Sequence, residues 1–449
     1  MGTSPIEPAL PPFERRLLDR LLGFPDTNRL WVAYSGGVDS HVLLHALAAL
    51  RHRLIPSIVA VHVNHGLQAS ADKWERHCAT VCRDLDVPLE SRRISLRIEA
   101  GQSAEEVARE GRYGLFRSLV QPGDIVLTAH HQSDQAETVL IQLIRGAGPS
   151  GLAAMPSIAP FGDAWLGRPL LEFARTEIDR YAESRELAWI EDPSNEAVDM
   201  DRNFLRREVI PRLTARWPSV SATLSRSARH CAEAQGLIDE MARVDLHKLQ
   251  DPGNGSVSVN GVQALAPPRG RAVLRAWIRQ AGRRLPDTVH LDRIMREMLT
   301  AREDRNPVVG WGGTQIRRYR GRLYVMVPPN EPEASWSSAW DGEADLLLPA
   351  GRGVLRAERG AGGIARAIWI PARKRVSFRG SEERLRPAGR GVSVSFKNFF
   401  QEQGIPPWER AAIPLVYLDD RLAAVADLCV CEGFGEPEGT EGMRIAWKR

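Results

Sequence analysis

Along residues 30 to 145, short apolar runs rich in β-branched residues alternate with stretches in which apolar side chains recur three and four positions apart. "RLWVAY", "SIVAVHV", "PLESRRIS" and "DIVLTAH" carry the first pattern; "DSHVLLHALAAL", "ADKWERHCATVCRDL" and "SAEEVAREGRYGLFRSLV" carry the second. Continuous apolar runs suit strands covered on both sides, and the helical spacing supplies the covers. The alternation predicts an α/β fold with a doubly wound parallel sheet, placed at residues 1–215. The Gly/Pro/Ala-rich stretch 146–163 reads as a mobile loop, and "RTEIDRYAESRELAW" resumes a helix that "EDPSN" stops.

From 216 to about 300 the spacing stays helical, and it closes on "VVGWGGTQIRRYRGRLYVMV", which reads as a hairpin. Residues 216–328 are therefore expected to form a mostly helical domain. The run "PPNEPEASWSSAWDGEA" at 328 to 344 has linker composition. Past it, glycine-rich turns and short β runs around the helix "VSFKNFFQEQG" predict a small α+β domain at 345–449.

Composition narrows the class. Hydrophobic residues make up 43% of the 449 and charged residues 26%, with no run near the ~18 apolar residues a membrane span needs, so no membrane partner is expected. The N-terminus lacks the basic start and apolar stretch of a secretory signal, which points to the cytoplasm. Cys78, Cys82, Cys231, Cys429 and Cys431 have neither a disulfide framework nor paired C-x-x-C spacing, so packing as reduced thiols is expected. A net charge of +4 names no partner, but arginine crowds 202–217, 268–284, 317–322 and 373–390 between Trp217, Trp277, Tyr319 and Phe378. Aromatic residues among arginines suit a nucleic-acid surface.

The chemistry starts at "YSGGVDS", directly after the first apolar run. A strand end followed by a helix start gathers unpaired N–H groups and positive dipole. Gly36 and Gly37 let an anion approach the backbone, Ser35 and Ser40 add hydroxyls, and Val38 opens the helix; together they read as a phosphate cradle. It is not a Walker A loop, because the lysine is missing. Asp39 beside phosphates calls for a bridging Mg2+. In "AHHQSDQAET", Asp134 and Glu137 are three apart and share a helix face, where they could hold that ion or only cap the helix. His130 and His131 lie at the same edge, and Arg112 could pair with phosphate or with Glu106 or Glu110.

"SGGVDS" resembles the pyrophosphate loop of the ATP pyrophosphatase (PP-loop) superfamily. With "VHVNHGL", "SAEEVAREGRYGLF", "AHHQSDQAET", "RGAGPSGLAAM", "RPLL" and "DPSNEAVDMDRNFLRREVIPRL", the chain resembles the bacterial tRNA(Ile)-lysidine synthetase family. "PPRGRAVLRAWIRQAG", "GGTQIRRYRGRLY" and "SVSFKNFFQEQGIPPWERAAIPLVY" extend the likeness over most of residues 30 to 432, although "RGSEER" replaces the usual R-G-G-E-R type turn. The resemblance implies an ATP-dependent carbon–nitrogen ligase. Such an enzyme adenylates C2 of the wobble cytidine in CAU-anticodon tRNA(Ile), releases pyrophosphate, and lets L-lysine displace AMP, so that the anticodon reads AUA instead of AUG. It implies ATP and Mg2+ as cofactors, with Asp39, Arg112, Asp134 and Glu137 offsetting charge at the α-phosphate. The first, third and fourth of these would hold the metal. Only on the order of one lysine ε-amine in a thousand is neutral at pH 7, so a proton acceptor is expected among Asp134, Glu137 and His131. Asn195, Arg202, Asn203 and Arg206 are expected to serve the substrates, and Arg379, Arg384, Lys397 and Trp408 to position the tRNA body. Oligomeric state is left open, a homodimer being one arrangement allowed.

Three other readings share the loop. A tRNA thiolase would depend on catalytic or cluster-binding cysteines, and an amidotransferase ligase would bring a glutaminase domain, for which no room is expected before residue 30. An RNA-binding module on a relic nucleotide fold would leave the carboxylates incidental.

Overall fold

The computed structural model describes residues 10–64, 71–94, 104–191, 201–302, 305–330, 333, 335–378, 384–436 and 440–448. The chain divides into two compact units, Met1–Glu240 and Met241–Arg449.

The first unit is built on a six-stranded sheet. Its strands are β1 (Arg29–Ala33), β2 (Ser57–Asn64), β3 (Leu89–Arg93), β4 (Ile125–Leu127), β5 (Ile158–Phe161) and β6 (Ala164–Gly167), in the order β3-β2-β1-β4-β6-β5. All neighbours are parallel except β5 and β6. The expected doubly wound sheet is present, with helices on both faces. Leu30, Val32 and Tyr34 point into one core with Val42, Leu43 and Leu47, whereas Trp31 joins Val61, Phe116, Val126 and Leu166 in the other. That alternation is the two-residue period of a strand whose faces are both covered. Helix α1 (Pro12–Leu22) and the almost wholly buried α2 (Val38–Ala49) lie on the first face. Helices α3 (Ala71–Asp84), α4 (Ala104–Leu119) and α5 (Gln132–Ile144) follow in chain order.

The stretch 146–163, expected to be a mobile loop, instead contains the short helix α6 (Pro149–Leu152) and β5, which turns through Gly162 into β6. Just beyond it, a Cβ at Gly167 would lie 2.7 Å from side-chain atoms of both Leu127 and Phe24, so a larger residue would force these to shift where β6 closes on β4. Helix α7 (Arg175–Ser184) then packs on α2, and α8 (Asp201–Phe204) opens a helical stretch through 216 whose middle, Leu205–Val209, is a π-turn.

The second unit begins within the helix Val220–Leu249 and holds two cores. One packs Trp277, Ile278, Leu291 and Ile294 against the antiparallel strands Val308–Trp311, Thr314–Tyr319 and Arg322–Met326. The other gathers Val376, Phe399, Val416 and Ala424. The run 328–344, read as linker, contributes the strand Ser337–Trp340, and Trp340 is buried in this last core.

Candidate active site

The carboxyl ends of β1 and β4 adjoin, and the chain goes on from them toward opposite edges of the sheet, to β2 and to β6; such a switch point opens a crevice in an α/β sheet. Ser35 to Gly37 occupy the turn after β1. Gly36 has φ +87°, a left-handed conformation that strains an L side chain, and a Cβ there would sit 3.1 Å from Ile190 and 3.2 Å from Cys78. The loop is cross-braced: the Ser40 hydroxyl donates to the Gly37 carbonyl at 3.0 Å and accepts from the Ser35 amide at 3.2 Å. No side chain caps α2, whose N-cap is Gly37, so its first-turn amides and dipole are left to an incoming anion.

After β4, His131 begins α5 as an N-cap. Its Nδ1 accepts the Ser133 amide at 3.2 Å, while Asp134 Oδ2 accepts the His131 amide at 2.9 Å. With Nδ1 an acceptor, the proton of the neutral ring sits on Nε2, which lies 3.5 Å from Asp134 and 3.8 Å from Asp39. The imidazole thus stands between carboxylates from two neighbouring strand ends. Glu137, one turn on and fully buried, is clamped by two guanidinium groups. Arg202 Nε donates to it at 2.9 Å, and Arg206 donates through Nε at 2.6 Å and Nη2 at 3.0 Å. Arg206 also reaches Asp134 at 3.0 Å. Arg202 and Arg206 are four apart, so one helix face meets one carboxylate.

The protonation pattern follows from this packing. Burial raises the Asp39 pKa, although His131 and Arg175 oppose the rise. Burial alone would raise Asp134 too, but the facing His131 and the hydrogen bond from its amide outweigh it and hold this carboxyl low. His130, whose Nδ1 lies 2.8 Å from the Thr128 hydroxyl, is pushed down by burial and stays neutral at pH 7.

Magnesium takes one or two protein carboxylates and completes its shell with phosphate oxygens and water. Asp39 and Asp134 fit that need: they flank the uncapped helix start, and the burial of Asp39 outweighs the positive charge of its neighbours. Glu137, expected as a third ligand, has both oxygens engaged by arginine. Among the described residues no group of three or more His, Cys, Asp or Glu side chains is arranged as a metal site.

The remaining expected residues are dispersed. Asn203 is buried beside Arg202 on α8. Arg112 is exposed on α4; it is Arg109, three residues earlier, whose charge acts on His130. Arg384 is exposed and donates to Ser393, and Lys397 is exposed on the helix Phe396–Glu402. Trp408 departs from expectation: it is only 8% exposed and packs edge-on to Tyr319 and Tyr324 under Arg317, so its ring offers no face to RNA. Asn195 and Arg379 lie outside the described residues.

Two site residues escaped the sequence reading. Arg175, at the start of α7, pairs with Asp39 at 3.1 Å across 136 positions of chain. Arg168, at the carboxyl end of β6, is 7% exposed and donates to the Pro156 carbonyl. "RPLL" marked the place of the second; nothing in the spacing marked the first. Cys78 and Cys82 pack in the core, where burial pushes both thiols up to about 12.

Residues 11–213 match a family model described as a PP-loop domain, residues 258–324 a TilS substrate binding domain, and residues 375–447 a TilS substrate C-terminal domain. The chain is 45% identical over 413 residues to a tRNA(Ile)-lysidine synthase of Methylococcus capsulatus, covering 91% of this chain and 93% of that one. To the tRNA(Ile)-lysidine synthase of Coxiella burnetii it is 41% identical over 426 residues, 95% and 94% of the two chains. To that of Pseudomonas aeruginosa it is 39% identical over 449 aligned positions, 97% of each. With that likeness running nearly end to end over a PP-loop site, the chain belongs to the tRNA(Ile)-lysidine synthase family and is an ATP-dependent ligase.

Proposed function

We propose that this enzyme joins free L-lysine to C2 of the wobble cytidine of a CAU-anticodon tRNA(Ile), using ATP to activate the base and releasing AMP and pyrophosphate. The observation that carries the reading is the juxtaposition of an uncapped, glycine-lined helix start with the Asp39–His131–Asp134 array and the arginine-clamped Glu137. The loop receives the ATP phosphates, so the C2 oxygen can attack the α-phosphate as pyrophosphate departs. The ε-amine of lysine then attacks C2, and the C–O bond to AMP breaks. Asp39 and Asp134 would hold magnesium, which supplies charge neutralisation at the phosphates.

The chain's own groups divide the remaining work. Arg206 is half-exposed while anchored on Glu137 and Asp134, which fixes a positive charge beside the reacting centre without side-chain reorganisation. His131 spends its basic nitrogen on the helix cap, which leaves a carboxylate as acceptor for the lysine proton. The exposed Arg384 and Lys397 suit contacts to tRNA phosphates.

The test is nucleoside analysis of CAU-anticodon tRNA(Ile) after incubation with enzyme, ATP and labelled lysine. Label in the wobble nucleoside, with AMP and pyrophosphate formed in equal amounts, is the expected result. ADP as the sole nucleotide product would overturn the reading.

A further inference from the structure

The helical stretch 201–216 has two faces with different chemistry. Arg202 and Arg206 turn one face to Glu137. Phe204, two residues from each and so about 200° around the axis, points the other way and is 49% exposed. It borders a shallow depression of about 210 Å3 shared with Glu208, Val209, Arg212 and Leu213. The π-turn begins at the next residue, a rare widening of the helix that is frequent at functional sites. Arg207 and Arg212 are exposed along this stretch. At its end Arg216 lies over the ring of Trp217, 5.6 Å from the centroid, and Trp217 is 56% exposed. The one carboxylate in the depression, Glu208, is paired with Arg212 at 3.2 Å.

An exposed apolar face could seat another protein, but its surroundings are cationic and its two large side chains are aromatic. Single-stranded RNA meets both features, since every base offers a stacking face and every nucleotide a phosphate. We propose that Phe204 is a stacking platform for the unpaired nucleotide next to the reacting cytidine. Trp217, about 20 Å along the helix, is a second platform for the same strand. This rests on the RNA substrate proposed above. One short helix then serves two ends: its inner face fixes the charges of the site, and its outer face holds the neighbouring base out of the anticodon stack.

The experiment uses full-length enzyme and an anticodon stem-loop RNA in which the adenosine beside the wobble cytidine is 2-aminopurine. Wild type and Phe204→Trp should quench its fluorescence and bind alike. Phe204→Ala should abolish the quenching and weaken binding about tenfold or more. It should raise KM for tRNA while leaving kcat, ATP affinity and the melting temperature nearly unchanged, because the ring is exposed and touches neither ATP nor the carboxylates. Trp217→Ala should weaken stem-loop binding by a smaller factor. Unaltered quenching and affinity in Phe204→Ala would overturn the platform. So would a Phe204→Ala effect confined to self-association in sedimentation, which would make this face the seat of a second copy. A wild type that quenches and binds yet forms no lysidine would sink the proposed reaction and leave the platform standing.

Discussion

Two regions handle charge in opposite ways, the candidate site in the first unit and the surroundings of Trp408 in the second. In the first, carboxylates and guanidinium groups meet in the interior: Glu137 has no exposure at all and is neutralised by Arg202 and Arg206. In the second, the interior contact around Trp408 is aromatic, while Arg384 and Lys397 stay in water. A buried charge costs several kcal/mol to desolvate and persists only with partners held in place. An exposed one is cheap, mobile and screened by salt. The difference separates a region built to fix charge at one point from a region suited to follow a polyanion.

The sharpest way to break this contrast is Glu137→Gln. It leaves two guanidinium groups facing a neutral amide, and loss of one partner of a buried pair should cost about 3–5 kcal/mol in denaturant unfolding. Lysidine formation should fall by about a thousandfold, because Arg206 loses its anchor. A variant that keeps wild-type stability would show that the clamp is incidental. Trp408→Ala tests the other side. Deleting a buried indole should cost about 3–5 kcal/mol, whereas binding of an isolated anticodon stem-loop should hardly change when measured well below the new melting temperature.

Asp39→Asn should separate function from stability within the first unit. Burial raises this carboxyl's pKa, so the neutral isostere should melt no lower than wild type, while pyrophosphate release falls by about a hundredfold. A drop in melting temperature would mean that its pairing with Arg175 outweighs desolvation.

The buried histidines supply a pH test. Burial and the neighbouring His77 push His41 down to about 4, so it remains neutral in the folded protein. As pH falls from about 6.5 toward 4, the unfolded chain takes up a proton that the native state refuses, and stability must decline across that window. His41→Gln should make the decline shallower, though not flat, because His45, His62 and His130 are lowered as well. The smallest effects belong to the exposed cations. Arg384→Ala or Lys397→Ala should weaken tRNA binding a few-fold and reduce the slope of log affinity against log salt by about 1. A slope unchanged in both would remove them from the RNA surface.

Much of this was legible beforehand because it is local. The strands, the helix periods and the glycine-lined turn depend on residues near one another, and Asp134 and Glu137 share a helix face by spacing alone. The hairpin of β5 and β6 was hidden because "IAPF" and "AWLG" are too short and too rich in small residues to show a period. Their strand character comes from pairing with each other and, for β6, with β4. Trp277 and Phe378 looked like RNA contacts because an aromatic among arginines is ambiguous until burial is known, and both are only 1% exposed.

The sequence by itself determined that a parallel sheet would end in a glycine-lined turn before a helix start, since strand period, helix start and glycine placement are short-range properties. Only the tertiary structure decided which charges meet. Glu137 belongs to two arginines more than sixty residues away, Asp39 to Arg175, and Phe204 to solvent. Such pairings are set by how distant elements pack, and desolvation and Coulomb energy depend on distance in space, not on distance along the chain.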